Sequence, residues 1–337
     1  MIDMHAPMSA TKNIPMGRPI SWSWSHFLLG AVYAVPAMAV SAFDPRAGLA
    51  LAVGVLPVAA FQLPGYRRGR RVIPVVGALS AVGFLLGSLL TQVPALAVAA
   101  LLVLSVAFAL WARTARAGFM ALVLVLPLTG IALSYRDLAE GTGIAVLVFA
   151  GSLYAWAVAM AWPERQTPPP PRPPTPTTEE SLTYGTLLGT AAAIAAALGY
   201  ILGLEHVGWA TGSVLLVMRP ARDQVFLRSV GRAASVILGA LVATLLAQLA
   251  PPAIVIAATV GLALATLAAT QGSRWYVAPA FTTVLALTLI LQGPDEQLGA
   301  RFAERTLETA IGVALALFFG AVIPALLLDA RRRRERR

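Results

Sequence analysis

The sequence predicts an all-α polytopic membrane protein of about twelve transmembrane helices in two parallel six-helix repeats. Three observations predict it. Of the 337 residues, 58% are hydrophobic and 12% charged, about half the charged fraction of a soluble domain. The apolar residues come in runs of roughly 17 or more between charged or Pro/Gly-rich breaks, whereas a buried soluble helix is shorter and striped. The breaks themselves recur: at a shift of about 158 residues Arg70 falls on Arg228 and Arg116 on Arg274, and the segment from Trp111 resembles that from Thr270. An even number of spans in each half makes the duplication parallel rather than inverted.

Residues 1–25 are polar and lack a signal-peptide apolar core, which predicts an uncleaved cytoplasmic tail. The first half, residues 26–162, opens with a span from His26 to Ala42 that holds Pro36, a predicted kink. After the turn Asp44-Pro45-Arg46, a second span runs to Leu63 and a strongly basic loop, Arg67 to Arg71, follows. The next spans are Val72 to Leu90, Ala95 to Ala112, Ala117 to Ser134 and Gly143 to Trp162. Residues 163–181 hold eight prolines in nineteen, which neither a helix nor a core accepts, so a polyproline-like cytoplasmic spacer is expected.

The second half, residues 182–328, repeats the layout. Its spans are Tyr184 to Leu204, Val207 to Met218, Ser229 to Ala250, Ala253 to Thr270, Trp275 to Leu291 and Phe302 to Leu328. The Val207 to Met218 run is about 12 residues, too short to cross a ~30 Å hydrocarbon core as a straight helix. Either it borrows flanking residues or it ends in a cavity. Residues 329–337 form a basic tail.

The net charge of +10 does not imply nucleic acid. With the N-terminus in the cytoplasm, all basic residues except Arg46, Arg136, Arg301 and Arg305 fall in the tails or the loops after even-numbered spans. That places both termini inside and predicts a multi-pass membrane protein. The chain has no cysteine, hence no disulfide or thiolate site. No Walker, dinucleotide, zinc or nucleophile-elbow pattern occurs, so neither a cofactor nor an enzymatic activity is expected.

Trp209, Arg219-Pro220, Arg228, Arg232 and Gly239 make a short Trp-led helix, a basic stretch, and an Arg-led helix rich in small residues. Tyr276 with Phe281-Thr282-Thr283 makes a Tyr-led, Thr-bearing helix, and Arg305, Glu308 and Gly312 follow at fixed spacing in the last span. These features resemble the fusaric acid resistance protein-like group of the aromatic acid exporters, over about Gly185 to Pro324. Larger members carry a sizeable cytoplasmic domain between their halves, where this chain has only the spacer. The resemblance implies export of aromatic or other organic acids across a bacterial inner membrane. The partners expected are the lipid bilayer, a small organic anion, a periplasmic adaptor protein and further copies of the chain, with no nucleic acid.

Charge inside a membrane segment demands a partner or a water-lined cavity. Glu304, Arg305 and Glu308 share one stretch of the last span. They read either as a proton-coupling pair of carboxylates, Glu308 foremost, beside an anion-binding Arg305, or as an ion pair at the outer membrane edge, where snorkelling is cheap. Arg228 and Arg232, one turn apart, match a carboxylate bidentately or serve as positive-inside anchors. Trp209, Trp275 and Tyr276 suit an aromatic belt or stacking on an aromatic substrate. Thr282, Thr283 and Thr288 line a cavity or bond between helices, and Gly185 with Gly189 marks close helix packing. The expected function is proton-driven efflux through a cavity between the halves. A passive anion channel, like a distantly similar plant malate-channel group, and a membrane scaffold without transport are the alternatives.

Overall fold

The structure, a computed structural model, describes residues 20–60, 63–164, 175–204, 206–218, 225–273, 277–291 and 298–335. They are helical and, among them, contain no strand. The first half comprises α1 (Trp24–Ser41), α2 (Pro45–Ala60), the single turn α3 (Arg67–Arg70), α4 (Val72–Leu90) and α5 (Pro94–Thr114). It closes with α6 (Arg116–Met120), a π-helical turn (Ala121–Val125), α7 (Leu126–Ala132) and α8 (Leu138–Ala161). The second comprises α9 (Thr178–Ile201), α10 (Gly208–Val217), α11 (Val225–Gln248), α12 (Ala253–Ala269) and α13 (Val277–Leu291). It ends in α14 (Leu298–Leu317), a second π-helical turn (Phe318–Val322) and α15 (Ile323–Glu335). Among the described residues, six helical segments are long and apolar enough to cross a membrane, among them Leu307–Leu327, and several others, including α2, α10 and α12, are shorter.

Local chemistry explains the boundaries. Ser23 and Asp137 accept bonds from the first-turn amides of α1 and α8. Thr177 and Glu180 form a reciprocal capping box that starts α9 immediately after the proline-rich stretch. Pro45 and Pro94 occupy first helical positions, where a missing N–H costs nothing. One expectation needs correction: α9 begins at Thr178, inside the expected 163–181 spacer, because the prolines end at Pro176 and the capping box follows. The basic C-terminal segment is helical, since α15 continues to Glu335 with Arg333 bonded to Asp329 one turn back. A π-helical turn at Ala121–Val125 interrupts the fifth apolar run.

Bonds between sequence-distant segments sort the turns into two faces. On one, Ser23 N–H donates to the Ala269 carbonyl, Gln271 to the carbonyls of Val58 and Ala59, and Arg113 to that of Pro176. On the other, Gln92 donates to the Arg136 carbonyl, Tyr200 lies 3.2 Å from Thr91, and Arg46 pairs with Glu140. The first face gathers the start of α1, the ends of α2, α5, α8 and α12, and the start of α9.

Contacts join helices before and after the proline-rich stretch. α1 packs on α12 while α5 packs on α9, and α2 packs on α13 while α7 packs on α10. Without an excess hydrophobic drive between helices in lipid, close approach of small residues holds such seams. A β-carbon on Gly30 would meet Ala268 and Ala265, and one on Gly185 or Gly189 would meet α5 at Val106 or Leu102. The close packing expected of Gly185 and Gly189 is thus present.

Candidate functional site

The seam between α10 and α14 contains a fully buried carboxyl group. Along α14, Glu308, Thr309, Gly312, Val313 and Ala316 are buried, while Leu307, Ala310, Ala314 and the following Phe318 are exposed. Burial therefore recurs at the helical period, and Glu308 belongs to the inward stripe. It is 0% exposed. The outer-edge ion-pair reading assumed a position within the first two turns of the helix. The helix begins at Leu298, which puts Glu308 in its third turn, but its apolar membrane-length stretch begins at Leu307, so Glu308 is buried by protein near the end of that stretch.

α10 supplies the opposing wall. Its ten residues extend about 15 Å, half of a hydrocarbon core. Nearly every residue is buried, because α7, α9, α11 and α14 all pack on it. Shortness is tolerated here because the helix is enclosed by protein. Its glycines admit the neighbours: a β-carbon on Gly208 would strike the carbonyls of Gly130 and Ile131 in α7, and one on Gly212 would strike Ile131. Both ends are held. The Gly208 amide donates to Ser134 Oγ, and the Tyr184 hydroxyl donates to the Met218 carbonyl at 2.6 Å.

Trp209 departs from the aromatic-belt expectation. It is 4% exposed, and its Nε1–H donates to Thr309 Oγ1 at 2.8 Å. One turn further along α14, Gly312 approaches the Ala210 carbonyl and Ser213 so closely that a β-carbon would not fit. This register sets Glu308 level with the first turn of α10, whose partial positive charge favours a nearby anion. A carboxyl group so covered by protein is stable only when protonated or well partnered.

The corresponding seam of the first half is of another kind. There α8 meets α2 where Gly54 faces Val148 and Gly151 faces Leu51, and the buried residues of the two helices are apolar apart from Gly and Ser152. Arg70, expected as a topological anchor, is 1% exposed and donates from Nε, Nη1 and Nη2 to the carbonyls of Pro64, Gly65, Ala159, Trp162 and Pro163. That uses all five guanidinium N–H groups, so Arg70 closes the end of α8 rather than receiving an anion.

The threonines of α13 lie on a different seam, against α11. Thr282 donates to the Pro279 carbonyl and Thr288 to that of Val284, both within α13, so the bonding is intrahelical rather than between helices. Thr283 is buried against Gly239. The side chains of Arg228, Arg232, Glu304 and Arg305, and the whole of Tyr276, lie outside the described residues. Sequence reasoning missed the Trp209–Thr309 pair and the capping role of Arg70. No local signal announces a contact between residues so far apart in the chain.

Residues 192–319 match the family model described as fusaric acid resistance protein-like. This segment runs from within α9 to the start of the second π-helical turn and contains the whole α10–α14 seam. No curated protein and no solved structure gives a match.

Proposed function

We propose that this fusaric acid resistance protein-like membrane protein exports small organic anions, aromatic acids foremost, across a bacterial inner membrane at the expense of the proton gradient. Glu308 carries the proton. Arg232 and Arg305, with Arg228 nearer the cytoplasm, bind the anion, and Thr282, Thr283 and Tyr276 contribute to its path. The observation that carries the reading is a carboxyl group at 0% exposure on the inward stripe of a spanning helix. An intramembrane acid is expensive unless it does work such as proton transfer.

The basic turns on the face that holds the start of α1 support cytoplasmic termini. The reciprocal contacts of α1 with α12 and of α5 with α9 support descent from two parallel copies. In this reading the copies have diverged. The α2–α8 seam became an apolar brace, and the α10–α14 seam kept the ionisable group, so the proton site belongs to the second half. A periplasmic adaptor and self-association fit the same role.

The test is transport by inside-out vesicles given an aromatic acid panel in the external medium. Uptake should require an imposed proton gradient, collapse with a protonophore, and disappear in Glu308→Gln at unchanged protein level. Ohmic currents without gradient dependence would identify a channel. Unaltered export by Glu308→Gln would exclude the carboxyl from coupling.

A further inference from the structure

We propose that Trp209 is a positioning residue for Glu308. Its indole N–H latches α10 to α14, and Glu308 exchanges its proton only when that latch parts. The inference rests on the proton-carrying reading of Glu308 and names how access to it is controlled.

Four observations converge. The latch is short and buried, 2.8 Å from Nε1 to Thr309 Oγ1. It is adjacent in sequence to the carboxyl it guards, on the same inward stripe. The seam has no slack beyond it, because Gly312 rides on the Ala210 carbonyl one turn away. Finally, α10 is pinned at Gly208 and Met218 by bonds to Ser134 and Tyr184, whereas α14 carries the carboxyl on through a π-helical turn. Such turns interrupt the regular ladder and recur at functional sites. Opening the seam thus requires α14 to move from a fixed α10, with the Trp209–Thr309 bond as the polar contact to break. Of the elements packed on α14, α10 has no charged side chain. α9 has only Glu179 and Glu180, in its first turn at the opposite face, and α11 brings Arg228 and Arg232. On the α10 side, the Trp209–Thr309 bond is the polar contact that the described residues show between the two helices.

Dicyclohexylcarbodiimide, which forms an acylurea at a protonated carboxyl in an apolar setting, reports that access. The rate of adduct formation at Glu308 is read by mass spectrometry on the full-length protein in detergent. Loss of one buried hydrogen bond should speed labelling about fivefold in Trp209→Phe and in Thr309→Val. Thr309→Ser, which keeps the acceptor hydroxyl, should label at the wild-type rate. Thr309→Val leaves the indole packing intact and guards against misfolding of Trp209→Phe. Wild-type rates in both loss variants, or equal acceleration in Thr309→Ser and Thr309→Val, would overturn the latch. The labelling result stands apart from transport: if Glu308→Gln exported normally while the latch variants labelled faster, the proton-carrying role would fall and the latch would remain.

Discussion

The Arg70 guanidinium donates to the carbonyl of Trp162 at 2.6 Å, across 92 residues of chain, and so fixes the end of α8 to the turn after α2. Four further bonds complete the set, and none of its donors is left for a ligand. Arg70→Ala strands several carbonyls at once, at about 1–3 kcal/mol for each that water does not reach. We expect a clear fall in the thermal midpoint of the detergent-solubilised protein. Arg70→Lys, with three donors on a point charge instead of a planar fork, should recover only part of it. Transport per folded molecule should be little altered, and a selective loss of substrate affinity in Arg70→Lys would contradict the capping role.

The seam between the halves leads to a steric prediction. A β-carbon on Gly30 would sit 2.6 Å from the Ala268 β-carbon and 2.8 Å from the Ala265 α-carbon, where only backbone movement relieves the clash. Gly30→Val should cost roughly 1–3 kcal/mol, the usual penalty of overpacking. Gly143→Ala, where nothing lies within 4 Å of the added carbon, is the control and should be neutral. Thermal denaturation of the two variants decides it.

The ion pair of Arg46 with Glu140 is long, 3.3 Å, and both side chains are well exposed. Such pairs contribute about 0–1 kcal/mol. Arg46→Ala should therefore leave the thermal midpoint within measurement scatter, in contrast to Arg70→Ala. A large loss would mean that this turn does more than close α1 onto α2.

The absence of cysteine makes the wild-type chain its own background for accessibility labelling. Asp137→Cys should react in intact cells with a membrane-impermeant maleimide. Arg68→Cys should react only after the membrane is opened. The reverse pattern would invert the orientation that the positive-inside rule assigns.

The identity of the helical segments was legible along the chain. Apolar run length and the Gly185–Gly189 spacing are local properties, and the helices follow them, whereas the Thr177 to Glu180 box that starts α9 inside the expected spacer went unread. The candidate site was legible in part. Glu308 stood out as a charge in an apolar run, but its burial depended on the helices packed on α14. Trp209 opens a span, as a belt residue does, and only its neighbours show that it is buried.

What the sequence determined by itself is which segments are helical and apolar, where they turn, and how the turns sort by charge. Tertiary structure alone decided which face of each helix meets protein, that α10 is enclosed on nearly every side, that Arg70 is a cap, and that Trp209 grips Thr309. The reason is physical. In a soluble chain the apolar stripe points to the core, but in a bilayer lipid and core are equally apolar, so hydropathy cannot tell one face from the other. Only the packing of distant helices distinguishes them.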